Sequence, residues 1–347
     1  MPLANAATYP LWINILIFFL AAGVIWMTGG RLTRALDAIA QGTGLEHVFV
    51  GMLLLGGITS LPELANVVTA SSIGNPALAV NNLLGSSAIN ILLLAIADAI
   101  VGRRAVTSIV AQPSTMMMAT LCMIILMTIA VLVVLGDVLF GPIGIGSLAI
   151  GIASLGFFWL AAGYDERSPW TVKQESDPQR DKKDAHVPDV PLTILWVRVA
   201  LYGAFIFLGG YALSQTGDAI AGQTGITSAV VGFALIGTAT SLPELVTVIA
   251  ALKLRQPEMA FGQILGTNFI NLSLLPLGDL IFSGEPVMNV LGAFETVSAL
   301  LGAILIGIFM VGLLEHRNRT IFKMGVDSAA VIAVFVAGVA MLAGLSG

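Results

Sequence analysis

The chain of 347 residues is 57% hydrophobic and 10% charged, with a mean hydropathy of +0.96 and a formal net charge of −5. Soluble domains carry about 25% charged residues, so this composition excludes a soluble globular domain or a nucleic-acid binder and points to a polytopic membrane protein. The single cysteine, Cys122, lies in an apolar run, cannot form an intrachain disulfide, and reads as a packing residue.

A helix needs about 20 apolar residues to cross the hydrocarbon core. Ten stretches meet that length: 11–28, 47–72, 77–101, 113–135, 140–163, 194–214, 228–252, 258–283, 289–313 and 325–345. The first has no basic region ahead of it and is expected to remain as a span, not to be removed as a signal peptide. Residues 164–193 mix charges of both signs with four prolines, the composition of a solvated connector. The chain therefore divides into a first five-helix unit at 1–163, the connector at 164–193, and a second five-helix unit at 194–347.

The basic residues predict the orientation. Arg31 and Arg34 follow the first stretch, Arg103 and Arg104 the third, and Lys253 and Arg255 the seventh. Arg167, Lys173, Arg180, Lys182, Lys183 and Arg198 cluster in or beside the connector, while Arg317, Arg319 and Lys323 follow the ninth stretch. With ten spans, all fifteen fall on one side, which the positive-inside rule assigns to the cytoplasm. Both termini are then outside and the connector is cytoplasmic, as expected for a prokaryotic inner or plasma membrane protein.

Shifted by 181 residues, the chain aligns on itself without a gap from Asp37 to Asp98. The segment "VGMLLLGGITSLPEL" meets "VGFALIGTATSLPEL", and "NNLLGSSAINILLL" meets "GQILGTNFINLSLL". Five spans per copy is an odd number, so the second copy enters from the opposite face. The expected fold is an all-α polytopic membrane protein of ten transmembrane helices, arranged as two inverted-topology five-helix repeats.

The repeat carries polar residues at lipid depth. Thr59, Ser60 and Glu63 share a helix face, and Ser86 and Asn90 are one turn apart on the next span. The second copy supplies Thr240, Ser241 and Glu244, then Thr267 and Asn271. These are oxygen donors without His or Cys, a set suited to hard cations such as Ca²⁺, Na⁺ or Mg²⁺ and not to zinc or copper. An empty pair of carboxylates in lipid repels itself, so such a site is expected to cross the membrane only when neutralised. Pro62 and Pro243 are expected to free the carbonyls of Ile58 and Ala239 as further ligands. Asp98 and Asp279 also pair across the repeat, and their place near span ends predicts a helix-end role. Glu295 has no partner in the first half and is expected to make an interior polar contact.

These motifs resemble the two α-repeats of the Ca²⁺/cation antiporter superfamily, most closely its sodium/calcium exchanger branch. The resemblance covers the whole ten-span plan and is sharpest at 56–92 and 237–273. It rests on Thr59-Ser60-Leu61-Pro62-Glu63 with Gly85-Ser86 and Asn90, and on Thr240-Ser241-Leu242-Pro243-Glu244 with Gly266-Thr267 and Asn271. It implies Ca²⁺ coordination by Glu63 and Glu244 and by carbonyls near Thr59 and Thr240. It also implies help with Na⁺ from the hydroxyls at 60, 86, 241 and 267, and sliding of spans 1 and 6 over a core of eight. The implied activity is antiport of Na⁺ against Ca²⁺. A proton-driven antiporter, or one for another divalent cation, on the same fold is the alternative. No enzymatic activity, permanent cofactor or protein partner is implied; Ca²⁺ and Na⁺ are cargo. Three positions depart from the family: Asn271, where some members carry Asp; Ile58, where a small residue is usual; and Thr267 in place of Ser. The Gly-Asn-x-x-Glu motif of the proton-coupled branch is absent from these blocks.

Overall fold

The computed structural model describes residues 6–45, 47–72, 74, 76–102, 104–110, 112–168, 190–224 and 237–345. Residues 228–236 of the seventh expected stretch and 169–189 of the connector lie outside the described residues.

The first long helix, α1 (Leu11–Thr43), follows Pro10 and stops at Gly44, whose φ of 73° is the left-handed cap that a glycine adopts without strain. It runs well past the expected end at residue 28 and includes Arg31 and Arg34. The reason is a second apolar face: Leu32, Leu36, Ile39 and Ala40 are buried at helical spacing, while Arg31 turns out and donates to the Met27 carbonyl. Next come α2 (His47–Val50), a π-helical turn at Gly51–Leu55, α3 (Gly56–Thr59) and α4 (Leu61–Ser72). The expected span 47–72 is thus a broken one, bent by 44° between Gly51–Thr59 and Leu61–Ser72.

Helix α5 (Pro76–Val101) is buried nearly all round, and α6 (Pro113–Leu135) starts on a proline whose missing N–H costs nothing in a first turn. A tight hairpin, β1 (Leu139–Phe140) and β2 (Ile143–Gly144), leads into α7 (Ile145–Ala161) and the single turn α8 (Tyr164–Arg167). The second half holds α9 (Leu192–Thr224), α10 (Gly237–Thr240), α11 (Leu242–Lys253), α12 (Pro257–Ser273) and α13 (Leu275–Ile281). It closes with α14 (Ala293–Glu315), the hairpin β3 (Thr320–Ile321) and β4 (Met324–Gly325), and α15 (Val326–Leu345).

Among the described residues seven helices are long and apolar enough to span a membrane, or eight if the bent pair counts as one. Large apolar side chains such as Trp12, Phe19, Trp26, Val134, Leu135 and Trp159 face outward, as lipid-facing positions do. The centre is formed by α5 and α12, both buried along their length. The 181-residue offset recurs in the elements: α1 and α9, α3 and α10, α4 and α11, α5 and α12, the two hairpins, and α7 and α15 all begin that far apart.

The halves interlock through two carboxylates. Asp98, near the end of α5, accepts from Val106 N (3.1 Å) in its own half and from Gly325 N and Ser328 Oγ (2.7 Å each) in the other. Asp279, its equivalent in α13, accepts from Val287 N (2.5 Å) and, across the halves, from Gly144 N (3.0 Å) and Ser147 Oγ. The helix-end role expected of both is therefore a cap on the last helix of the opposite half. Glu295 is a cap as well: its Oε2 accepts from Gly292 N (2.7 Å) at the start of α14, and the expected interior contact gives way to this one.

Candidate functional site

Ser60 and Ser241 interrupt the two TSLPE segments. Each lies outside the flanking helices, with ψ near zero (−4° and 3°), and a new helix begins at the next residue. The prolines at 62 and 243 therefore stand in a first turn, where proline is tolerated, and not in a helix interior. Glu63 and Glu244 fall in the same first turns, where the unpaired N–H groups and the helix dipole favour a negative charge. This refines the expectation of a single helical face: the break turns each glutamate onto a half-helix N-terminus.

Glycine positions the crossing. Gly51, Gly56 and Gly266 bring the broken span against α12 backbone to backbone; a Cβ on Gly266 would stand 2.6 Å from the Met52 carbonyl oxygen. On Gly56 it would stand 3.0 Å from Thr267 N. The first copy's Thr59 and the second copy's Thr267 are thereby held on adjoining elements.

All ten residues singled out from the sequence are buried: Thr59, Ser60, Glu63, Ser86, Asn90, Thr240, Ser241, Glu244, Thr267 and Asn271. Ser86 Oγ donates to Glu63 Oε1 at 3.2 Å. Thr240 approaches Glu63 from the other half, and Thr59 approaches Glu244, while the two carboxylates are close enough to repel one another. Three hydroxyls donate back to the preceding turn: Thr59 to Leu55 O (3.0 Å), Ser60 to Gly56 O (2.8 Å) and Thr240 to Gly237 O (3.3 Å). A hydroxyl so engaged still offers lone pairs to a cation. Seven oxygens of the set have no hydrogen-bond partner among the described residues: Glu63 Oε2, Asn90 Oδ1, Ser241 Oγ, Glu244 Oε1 and Oε2, Thr267 Oγ1 and Asn271 Oδ1. Buried oxygens of this kind are expensive unless something positive meets them.

Asn268 was not singled out from the sequence. Its Oδ1 accepts from Asn90 Nδ2 (3.0 Å), and its Nδ2 donates to Ser87 O (3.4 Å), so it stitches α12 to α5 beside the site. Its equivalent in the first copy is Ser87, and a polar residue at both copies of that position was the signal available.

The outer helices seat differently in the two halves. Gly29 of α1 packs on Val246 and Thr247 of α11, where a Cβ would meet Val246 Cγ1 at 2.9 Å. Its equivalent, Gly210 of α9, packs on Pro62 of α4. Val246 and Thr247 are the equivalents of Ala65 and Asn66, so the seating differs by three to four residues, about one helical turn or 5 Å.

Broken helices that meet tip to side around buried carboxylates, on a repeated membrane scaffold, define the secondary-transporter class of site. The family described as sodium/calcium exchanger protein matches residues 13–162 and 194–344, and the chain belongs to it. The inner membrane protein YrbG of Escherichia coli is 29% identical over 259 residues, covering 74% of this chain and 76% of that one. The membrane protein MJ0091 of Methanocaldococcus jannaschii is 25% identical over 271 residues, covering 76% and 80%. A structure of the sodium-calcium exchanger NCX_Mj soaked with Na⁺ and Sr²⁺ superposes with a TM-score of 0.68 at 18% identity, covering 95% of this chain and 99% of that one. That likeness establishes the fold.

Proposed function

We propose that the protein is an antiporter exchanging Na⁺ for Ca²⁺ by alternating access, with its cations held midway across the membrane. The observation that carries this reading is the pair of fully buried glutamates, Glu63 and Glu244, with three of their four oxygens lacking a hydrogen-bond partner among the described residues. Two carboxylates balance one Ca²⁺, and the seven open oxygens match the six to eight that Ca²⁺ takes. Their hydroxyl and amide members suit Na⁺ equally. When Ca²⁺ leaves, the carboxylates are too costly to carry bare through the bilayer, so sodium ions replace it.

In this reading the chain has ten spans in two inverted repeats. The connector and basic loops face the cytoplasm, the termini face outside, and the host membrane is a prokaryotic inner or plasma membrane. The one-turn difference in seating makes α1 and α9 the moving pair. In the present state α1 covers the cytoplasmic half of α11, and α9 stops short of the outer half of α4. Exchanging the two seatings reverses the access.

Uptake of radioactive Ca²⁺ into proteoliposomes, with Na⁺, K⁺ and H⁺ gradients imposed separately, tests the proposal. A Na⁺ gradient should drive uptake in the wild type and fail to do so in Glu63→Gln and Glu244→Gln. Uptake driven by a pH gradient and not by Na⁺ would replace sodium with protons as the driver. Robust Ca²⁺ transport in both glutamine variants would sink the site assignment.

A further inference from the structure

The site has polar neighbours one turn away that the ligand set does not use. Asn66 follows Glu63 by three residues on α4, and Asn82 precedes Ser86 by four on α5, so each continues the face that carries a site residue. The two helices are antiparallel neighbours joined by the short turn between Ser72 and Pro76. Asn66 is six residues before that turn and Asn82 six after it, which places them at the same depth.

The second half shows how these two positions meet. Their equivalents are Thr247 on α11 and Gln263 on α12, and Gln263 Nε2 donates to Thr247 Oγ1. Thr247 in turn donates to Pro243 O (2.9 Å) and is roofed by α1, whose Thr33 Oγ1 reaches the Thr247 carbonyl at 3.5 Å. That pair is joined by a direct hydrogen bond, with both residues fully buried, and Gln263 Oε1 has no hydrogen-bond partner among the described residues. The first-half pair differs. Asn82 is fully buried, yet neither Oδ1 nor Nδ2 has a hydrogen-bond partner among the described residues, and Asn66 Oδ1 has none either. Asn66 is half-buried, because Gly210 of α9 seats on Pro62, one turn short of it.

A fully buried amide without a hydrogen-bond partner, at the depth of a second amide that lies one turn from Glu63, is a place for a hard cation. We infer that Asn66 and Asn82 form a staging site that takes Na⁺ or Ca²⁺ through their amide oxygens on the outer side of Glu63. Thr247 and Gln263 are its cytoplasmic counterpart, latched by their own hydrogen bond while α1 covers them. Neutral amides hold a cation weakly enough to pass it on, which two carboxylates could not do. The chain thus carries unlike gates on its two faces: two amides outside, a hydroxyl and a longer amide inside. The inference rests on the antiporter reading and on its orientation.

The experiment measures the half-saturating Ca²⁺ concentration at each face separately in oriented proteoliposomes, together with equilibrium Ca²⁺ binding in detergent. Asn82→Leu should raise the outer value about tenfold. The cytoplasmic value and the equilibrium affinity of the central site should stay within about twofold of the wild type. Gln263→Leu should act on the cytoplasmic value instead. Asn82→Asp, which keeps size and polarity, should lower the outer value, and it carries the test if the leucine variant does not fold. An outer value unmoved by Asn82→Asp, or both faces moved equally by Asn82→Leu, overturns the staging site while leaving the antiporter intact. A wild-type protein that moves no Ca²⁺ in either direction overturns both.

Discussion

Ser86 donates to Glu63 at 3.2 Å, whereas Thr267, its equivalent, leaves its hydroxyl without a hydrogen-bond partner among the described residues and leaves both oxygens of Glu244 open. The two glutamates are therefore not interchangeable, although they share a motif and a helix-start position. Glu63 has a hydroxyl neighbour from its own half as well as Thr240 from the other; Glu244 has Thr59 from the other half and no hydrogen bond from its own Thr267.

Ser86→Ala should therefore weaken Ca²⁺ binding more than Thr267→Ala does. A hydrogen bond to a charged group contributes about 1.5–3 kcal/mol, so a loss of roughly tenfold to a hundredfold is expected for Ser86. Equilibrium binding of Ca²⁺ to the purified protein measures both, and equal losses would contradict the asymmetry.

Asn271→Asp adds a third carboxylate to the proposed cation set of Glu63 and Glu244. The bound complex then carries one more negative charge, which an additional monovalent cation or proton must neutralise within the membrane. Tighter Ca²⁺ binding, slower release and a changed charge per cycle are expected, read as a shift in the voltage dependence of uptake. An unchanged charge per cycle would place residue 271 outside the cation shell.

Gly29→Ile should separate binding from movement. The glycine sits against Val246 and Thr247, and a branched side chain there blocks α1 from shifting along α11. Turnover should fall by about tenfold or more while equilibrium Ca²⁺ affinity stays close to the wild type. A comparable fall in affinity would mean that the residue serves packing of the site and not its motion.

Asp279→Ala removes the acceptor for Val287 N, Gly144 N and Ser147 Oγ, leaving buried donors unpaired at a cost of several kcal/mol. The melting temperature in detergent should drop by several degrees, and Asp98→Ala should do the same at the other end of the molecule. Folded protein that survives should still bind Ca²⁺, because neither aspartate belongs to the cation set.

The broad plan was legible in the sequence because membrane constraints are strong. Apolar runs of span length and polar identities repeated at one offset leave few arrangements open. Asn90, Glu63 and Ser86 could be grouped by spacing alone. What the sequence concealed were features decided between helices. The extension of α1 to Thr43 depends on a buried face that Arg31 and Arg34 disguise as a loop. The break at Ser60 and Ser241 was readable as strain at proline, but not as a device that presents each glutamate on a helix tip. Asn268 escaped notice because its partner Asn90 lies 178 residues away on another helix. The one-turn difference between Gly29 and Gly210 has no sequence signal at all, since the two glycines align.

The 33-residue length of α1 and of α9 has one more effect. At 1.5 Å per residue each is about 50 Å long, against a hydrocarbon core of about 30 Å. Helices so much longer than the bilayer is thick must either tilt within it or project beyond it, and a thicker or thinner membrane changes the balance between the two. If the pair exchanges seatings as proposed, the two arrangements differ in how they fit a given lipid, and acyl-chain length becomes a lever on which of them is populated. The same protein should cycle at different speeds in short-chain and long-chain phosphatidylcholine, with its affinity for ions untouched.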